Sequence, residues 1–143
     1  MRLWLLVRVF ALAIITSSAS LTSAQAQGVS TAELIAAGMP ASLAEFAARV
    51  SASEGDWDSL NQYGCAGAFQ FCPATRRRYT TFTVEDFLAS PREQVNAYRR
   101  YMADEWRLAQ RMGYTSLIGR NLCWEGACAT ITASSIIMAC QFG

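Results

Sequence analysis

The sequence predicts an all-α domain with at most a small β-hairpin near a central loop. Three observations carry this expectation. Helix-start signals recur at Ser30-Thr31-Ala32-Glu33, Ser42-Leu43-Ala44-Glu45 and Ser90-Pro91-Arg92-Glu93. In each, a hydroxyl caps the first free amides and an acid sits three residues on. Apolar residues recur at helical spacing, most clearly Val95, Tyr98, Met102, Trp106, Ala109 and Met112, as on the buried face of one long helix. Turn-forming residues concentrate in one stretch, Gly55 to Gly67, and any strand pair belongs there.

The chain opens with a segment that has the parts of a secretory signal. Arg2 gives a basic start, Leu3 to Val7 and Val9 to Ile15 an apolar stretch, and Ala24-Gln25-Ala26 a small-residue cleavage site. The domain organisation expected is therefore a signal peptide over 1–26 and one domain over 27–143. The apolar run is too short and too interrupted by Arg8 for a spanning helix of about 20 residues, so no stable membrane anchor is expected after cleavage. The expected location is periplasmic or secreted.

Removing Arg2 and Arg8 leaves ten of the twelve basic residues, all Arg, against eleven acids. A nearly neutral domain argues against nucleic acid or an anionic membrane as the main partner. The chain has no His and no Lys. This excludes Ser-His-Asp and Cys-His machinery, His-ligated zinc, Schiff-base chemistry and a phosphate-binding lysine loop. Carboxylates remain as the main proton carriers. No cofactor and no metal are implied.

All five Cys (Cys65, Cys72, Cys123, Cys128 and Cys140) lie in the exported part, where disulfides form. The spacings are wider than the C-x-x-C pairs of zinc sites. The local pairs Cys65–Cys72 and Cys123–Cys128 are the simplest of the possible connectivities, which the sequence leaves open. Cys140 is then left over in an apolar run, as a buried inert thiol.

In chain order, a short helix follows Ser30 and stops at Gly38, with Pro40 beyond. A second runs from Leu43 to about Ser53 with Leu43, Phe46, Ala47 and Val50 on its apolar side. Continuing that stripe reaches Glu54. Two readings are open: the helix has already ended and Glu54 is an exposed loop residue, or an acid sits at the edge of the core face. In the second case lost hydration and the helix C-terminus both raise its pKa, and it can act as a general acid. Pro73 opens a short helix through Arg78. Arg76-Arg77-Arg78 reads as a solvated face with one or two salt bridges. Thr83 starts another short helix, Ser90 the long one of roughly 30 Å, and Thr132 a last helix over Ala133 to Gln141. Tyr114 to Gly126 reads as loop, with a small ring closed between Cys123 and Cys128.

Ser53 to Thr75 reads SEGDWDSLNQYGCAGAFQFCPAT. Glu54 at a helix end, then Gly67, Gln70, Pro73 and Thr75, resembles the core motif of the lysozyme-like lytic transglycosylases of SLT type. There a catalytic Glu precedes a G-x-x-Q segment, and P-x-T opens the next helix. Asn61, Tyr63, Gly64 and Gly67 are similar to a loop found in one lysozyme-like subgroup, with Tyr63 and Gly64 in reversed order. Gly55 stands where the family usually has Ser. The likeness covers roughly 25 residues, and the helical layout agrees with it.

The resemblance implies a lysozyme-like fold and cleavage of the β-1,4 bond between N-acetylmuramic acid and N-acetylglucosamine in peptidoglycan glycan strands. Glu54 is the implied acid, and Gln70, Tyr63 and Asn61 the substrate-binding candidates. A transglycosylase needs no second carboxylate, whereas a hydrolase normally does; Asp56 and Asp58 are available but read more simply as loop or cap residues. The alternative is an exported glycan-binding or inhibitor domain without catalysis. Clearing wall locally for a secretion or conjugation apparatus is a common use of small family members. N-terminal sequencing of the exported protein is expected to begin at Gln27, and a start at Met1 or Arg2 would overturn the signal-peptide reading.

Overall fold

The computed structural model of the protein describes residues 28–142. The expected signal peptide lies outside the described residues. The fold is mostly helical: α1 (Thr31–Ala36), α2 (Ala41–Glu54), α3 (Pro73–Tyr79), α4 (Val84–Leu88), α5 (Pro91–Arg111) and α6 (Ala133–Phe142). A 3-10 turn (Tyr114–Leu117) and an antiparallel pair, β1 (Asn121–Trp124) with β2 (Ala127–Thr130), separate α5 from α6. No helix among the described residues is long and apolar enough to cross a membrane.

The caps explain most boundaries. The Ser30 hydroxyl accepts from the Glu33 amide, and the Glu33 carboxylate accepts from the Ser30 amide, a complete capping box. Thr83 and Ser90 cap α4 and α5 in the same way, by accepting from the amides of Asp86 and Glu93. The start of α2 differs from expectation. Pro40 occupies its N-cap, so the helix begins before Ser42, whose hydroxyl is not the cap. The buried face also shifts. Ala44, Ala47, Val50 and Ser51 are buried, while Leu43 and Phe46 pack from the margin. Small residues on this face allow α1 and α2 to lie close.

α5 is the spine, about 30 Å long at 1.5 Å per residue. It buries Val95, Ala97, Tyr98, Met102 and Ala109. Trp106 is only half-buried and Met112 is exposed, so the stripe frays toward its end. Phe69 stacks flat on Tyr98 with centroids 3.8 Å apart. Phe71 meets Tyr79, Phe87 and Tyr101 edge-on at about 6 Å, a geometry favoured by the ring quadrupole.

Two expectations are corrected. The strand pair is not formed by the central-loop residues. It is the Asn121–Thr130 hairpin, turned at Glu125 and Gly126, both at positive φ, as a two-residue turn of matching twist requires. The central loop holds only single bridges, Leu60 to Ala66 and Ala66 to Phe71. The Arg76-Arg77-Arg78 run makes none of the ion pairs among the described residues, which are Arg49–Glu45, Arg100–Glu93 and Arg107–Asp104. Arg76 instead donates to the Gly64 carbonyl, and the Arg78 guanidinium lies over the Tyr79 ring. Both disulfides are the local pairs, Cys65–Cys72 and Cys123–Cys128, and Cys140 is free.

One buried polar side chain holds these parts together. Gln94, in the first turns of α5, is fully buried. Its Oε1 accepts from the Ala68 amide at 2.9 Å. Its Nε2 donates to the Trp57 and Phe87 carbonyls at 2.8 and 3.0 Å. Replacing Gln94 by Leu keeps the volume but strands these backbone groups. Gln94→Leu is expected to lose about 2–4 kcal/mol in urea unfolding, and a loss below about 1 kcal/mol would show that water substitutes for the amide.

Candidate active site

Glu54 is the last residue of α2. The helix survives to this point because Gly55 closes it by donating to the Ser51 carbonyl at 2.8 Å. Glu54 is therefore neither a solvated loop residue nor fully enclosed. It lines a cavity of about 180 Å³ together with Phe69, Gln70, Phe71, Cys72, Thr75, Tyr98, Tyr101 and Gln141. Its pKa is raised above the ordinary 4.5 by desolvation. That shift is the one expected for a carboxyl against aromatic rings.

The opposite wall is a tight turn. Ala66 and Phe71 exchange both backbone hydrogen bonds, at 3.0 and 2.9 Å, and Gln70 donates its amide to the Gly67 carbonyl. The Cys65–Cys72 disulfide brackets this turn. Gln70 is held at φ 45°, in the left-handed region, which is uncommon outside glycine. Its side-chain nitrogen donates to the Gly67 carbonyl at 3.1 Å. Gly67 cannot carry a side chain. Its φ is 77°, and a Cβ there would lie 2.2 Å from the Gln94 oxygen.

Gly55, the departure from the resembling motif, has a local physical reason. Its backbone is extended, so strain is not at issue. A Cβ at 55 would stand 2.8 Å from the Ser59 Oγ and 3.2 Å from the Gln70 Nε2. Glycine lets Ser59 and Gln70 close over the end of α2. Ser59 in turn accepts from the Asp56 amide at 2.8 Å, and its carbonyl accepts from Gly67 at 2.7 Å.

The aromatic floor comes from α5. The Tyr98 hydroxyl donates to Gln141 Oε1 of α6 at 3.0 Å. Burial, then neighbouring Tyr101 and Glu54, push the Tyr98 phenol well above its usual range. Burial, with Glu105 and other neighbours, pushes Tyr101 up to about 12. Both phenols are neutral at neutral pH, and that of Tyr98 is a donor.

Of the sequence-derived candidates, Glu54 and Gln70 meet in the cavity, with Thr75 of the same motif beside them. Asn61 and Tyr63 are not among its lining residues. The Asn61 carboxamide oxygen accepts from the Tyr63 and Cys65 amides at 2.9 and 3.1 Å, so it shapes the loop. Tyr63 is 75% exposed. Asp56 accepts from the Trp57 amide at 2.7 Å, and neither Asp56 nor Asp58 borders the cavity. Tyr98, Tyr101 and Gln141 were not anticipated at the site. Tyr98 had a signal as part of the α5 stripe, but that pattern does not distinguish a core ring from a cavity floor. Among the described residues no three His, Cys, Asp or Glu side chains converge as metal ligands would.

Comparison with models of known protein families, with curated proteins and with solved structures finds no match.

The raised Glu54 pKa sets a pH dependence with a definite sign. A carboxyl that folding makes harder to ionise opposes the folded state once pH exceeds its unfolded pKa. The destabilisation is fully present above the folded-state pKa and vanishes below the unfolded value. Glu54→Gln is expected to raise the unfolding temperature at pH 7 and to change it little near pH 3. An equal effect at both pH values in thermal scans would show that ionisation is not the cause.

Proposed function

We propose that the protein is an exported, lysozyme-like peptidoglycan-cleaving enzyme that acts as a lytic transglycosylase, with Glu54 as its catalytic acid and base. The reading rests on one observation: Glu54 is the single carboxylate lining an aromatic-walled cavity, and desolvation raises its pKa. A hydrolase working through two carboxylates needs a second acid about 5–10 Å away, and the cavity lining provides none. A mechanism in which one carboxyl serves twice fits this lining better.

In that mechanism protonated Glu54 donates to the glycosidic oxygen between N-acetylmuramic acid and N-acetylglucosamine, and the bond to the anomeric carbon breaks. The resulting carboxylate then accepts the proton of the muramic 6-hydroxyl, whose oxygen closes on the anomeric carbon. The products are a shortened strand and a 1,6-anhydro end, and Glu54 regains its starting proton. Gln70, held rigidly by its turn, hydrogen-bonds the sugar, and the Tyr98 and Tyr101 faces exclude water. The two disulfides fit an oxidising compartment such as the periplasm.

The test is muropeptide analysis by mass after incubation of the exported protein with purified peptidoglycan. Anhydro ends are expected, with activity falling as pH rises through the Glu54 pKa. Glu54→Gln is expected to reduce turnover by about 10²–10⁴-fold. Reducing ends would replace the transglycosylase with a hydrolase. Binding without cleavage, or full activity in Glu54→Gln, would remove the catalytic reading.

A further inference from the structure

Four of the residues lining the Glu54 cavity, Phe69, Gln70, Phe71 and Cys72, lie in the short ring closed by the Cys65–Cys72 disulfide. Cys72 is thus both a wall residue and one end of the cross-link. Cys65, the other end, is buried, whereas Cys72 is exposed. Hydrogen bonds from outside the ring fix Gly67 and Ala68, which donate to the Ser59 carbonyl and to Gln94. Gln70 has no such tie. Its backbone and side-chain N–H groups both donate to the Gly67 carbonyl, inside the ring, and no hydrogen bond among the described residues reaches it from another element. Its φ of 45° is left-handed, a conformation that a non-glycine residue keeps only where its surroundings impose it. The Ala66–Phe71 backbone pair spans this turn, and the disulfide clamps the chain just outside that pair.

We propose that the Cys65–Cys72 bridge is a positioning element of the Glu54 site, holding Gln70 and the wall it belongs to against the aromatic floor, so that the site is complete only after oxidation. A chain still in a reducing compartment carries this wall loosened, with more water beside Glu54. Reduction balances as thiol–disulfide exchange. A dithiol attacks the exposed Cys72 sulfur, and Cys65 leaves as a thiolate and takes up a proton. The second thiol of the reagent then displaces Cys72 as a free thiol, and the reagent departs as a cyclic disulfide, having given two electrons to the protein. The second bridge is an internal comparison. Neither Cys123 nor Cys128 lines the Glu54 cavity, and Cys128 borders a separate, larger apolar groove between the hairpin and α6. The positioning is a matter of geometry, and its effect on turnover rests on the peptidoglycan-cleaving reading.

The test follows the Glu54 carboxyl by carbon-13 NMR titration in the exported protein, in the double variant Cys65→Ser, Cys72→Ser and in the control Cys123→Ser, Cys128→Ser. Tyr98 and Tyr101, the titratable groups that share the cavity, stay neutral through the carboxylate range, and no Arg lines it, so the signal reports hydration. Desolvation holds the Glu54 pKa up. It is expected to fall toward the ordinary carboxylate value in the first variant and to stay in place in the control. Turnover of peptidoglycan is expected to fall about 10–100-fold in the first variant and to change little in the control. The unaltered protein gives the same reading without substitution. In dithiothreitol buffers of graded potential, with thiols counted by alkylation and mass, its Glu54 signal is expected to follow Cys65 and Cys72 rather than Cys123 and Cys128. A Glu54 titration indifferent to the bridge, or one that follows the second bridge, would overturn the inference, as would full turnover without the Cys65–Cys72 bond. A titration that shifts as expected in a protein that never cleaves peptidoglycan would instead leave the positioning intact and remove the catalytic reading.

Discussion

The buried amide of Gln94 is the constraint on which the rest of this structure depends. Four segments meet at one side chain: the loop at Trp57, the turn at Ala68, the end of α4 at Phe87, and α5 itself. Each partner is a backbone group far from Gln94 in space unless the fold is complete. In a low-dielectric interior such a set is favourable only when every member is satisfied. Gln94 therefore acts on the whole arrangement at once. It also explains why Gly67 must be glycine: the turn lies so close to the amide that any Cβ would occupy the oxygen's place.

The site follows from this anchor. Gln94, Tyr98 and Tyr101 lie at i, i+4 and i+7 on α5, one face of the helix. The face that fixes the central loop thus also supplies the floor beneath Glu54. Once Gln94 has fixed Ala68, the Gly67–Gln70 turn is set against that floor, and the Cys65–Cys72 bridge holds its two arms together. Glu54 arrives from the other side, at the end of a helix whose Ala and Val face is buried. Its carboxyl is left with aromatic neighbours and reduced hydration. Folding opposes its ionisation, so the packing that forms the cavity is also what perturbs the acid.

Local chemistry made part of this legible in the sequence. The Ser30, Thr83 and Ser90 caps, Pro73 at a helix start, the α5 stripe and the two short-range disulfides all depend on neighbours within a few residues. Extending the α2 stripe reached Glu54 although the stripe was displaced, because Leu43 lies beside the buried face and Ala44 on it. Longer-range features were not legible. A buried Gln on α5 looks like any polar helix residue until its partners at Trp57, Ala68 and Phe87 are placed. Asn61 carries the same side chain whether it binds a sugar or two loop amides, and only the folded loop decides. The hairpin has strands of four residues with exposed side chains throughout, so no alternation of burial announces it.

α6 belongs to both recesses. Ile136 and Cys140 border the apolar groove, and Gln141 borders the Glu54 cavity, where it accepts the Tyr98 hydroxyl. Residues 140 and 141 differ by about 100° around a helix, which is enough to turn one toward each recess. Ile136 of this helix is buried, and Ile137 and Met138 pack partly buried against the core. The Tyr98–Gln141 hydrogen bond ties its last turn to the ring on which Phe69 stacks. One ten-residue helix thus closes the aromatic floor beneath Glu54 on one side and borders the apolar groove on the other.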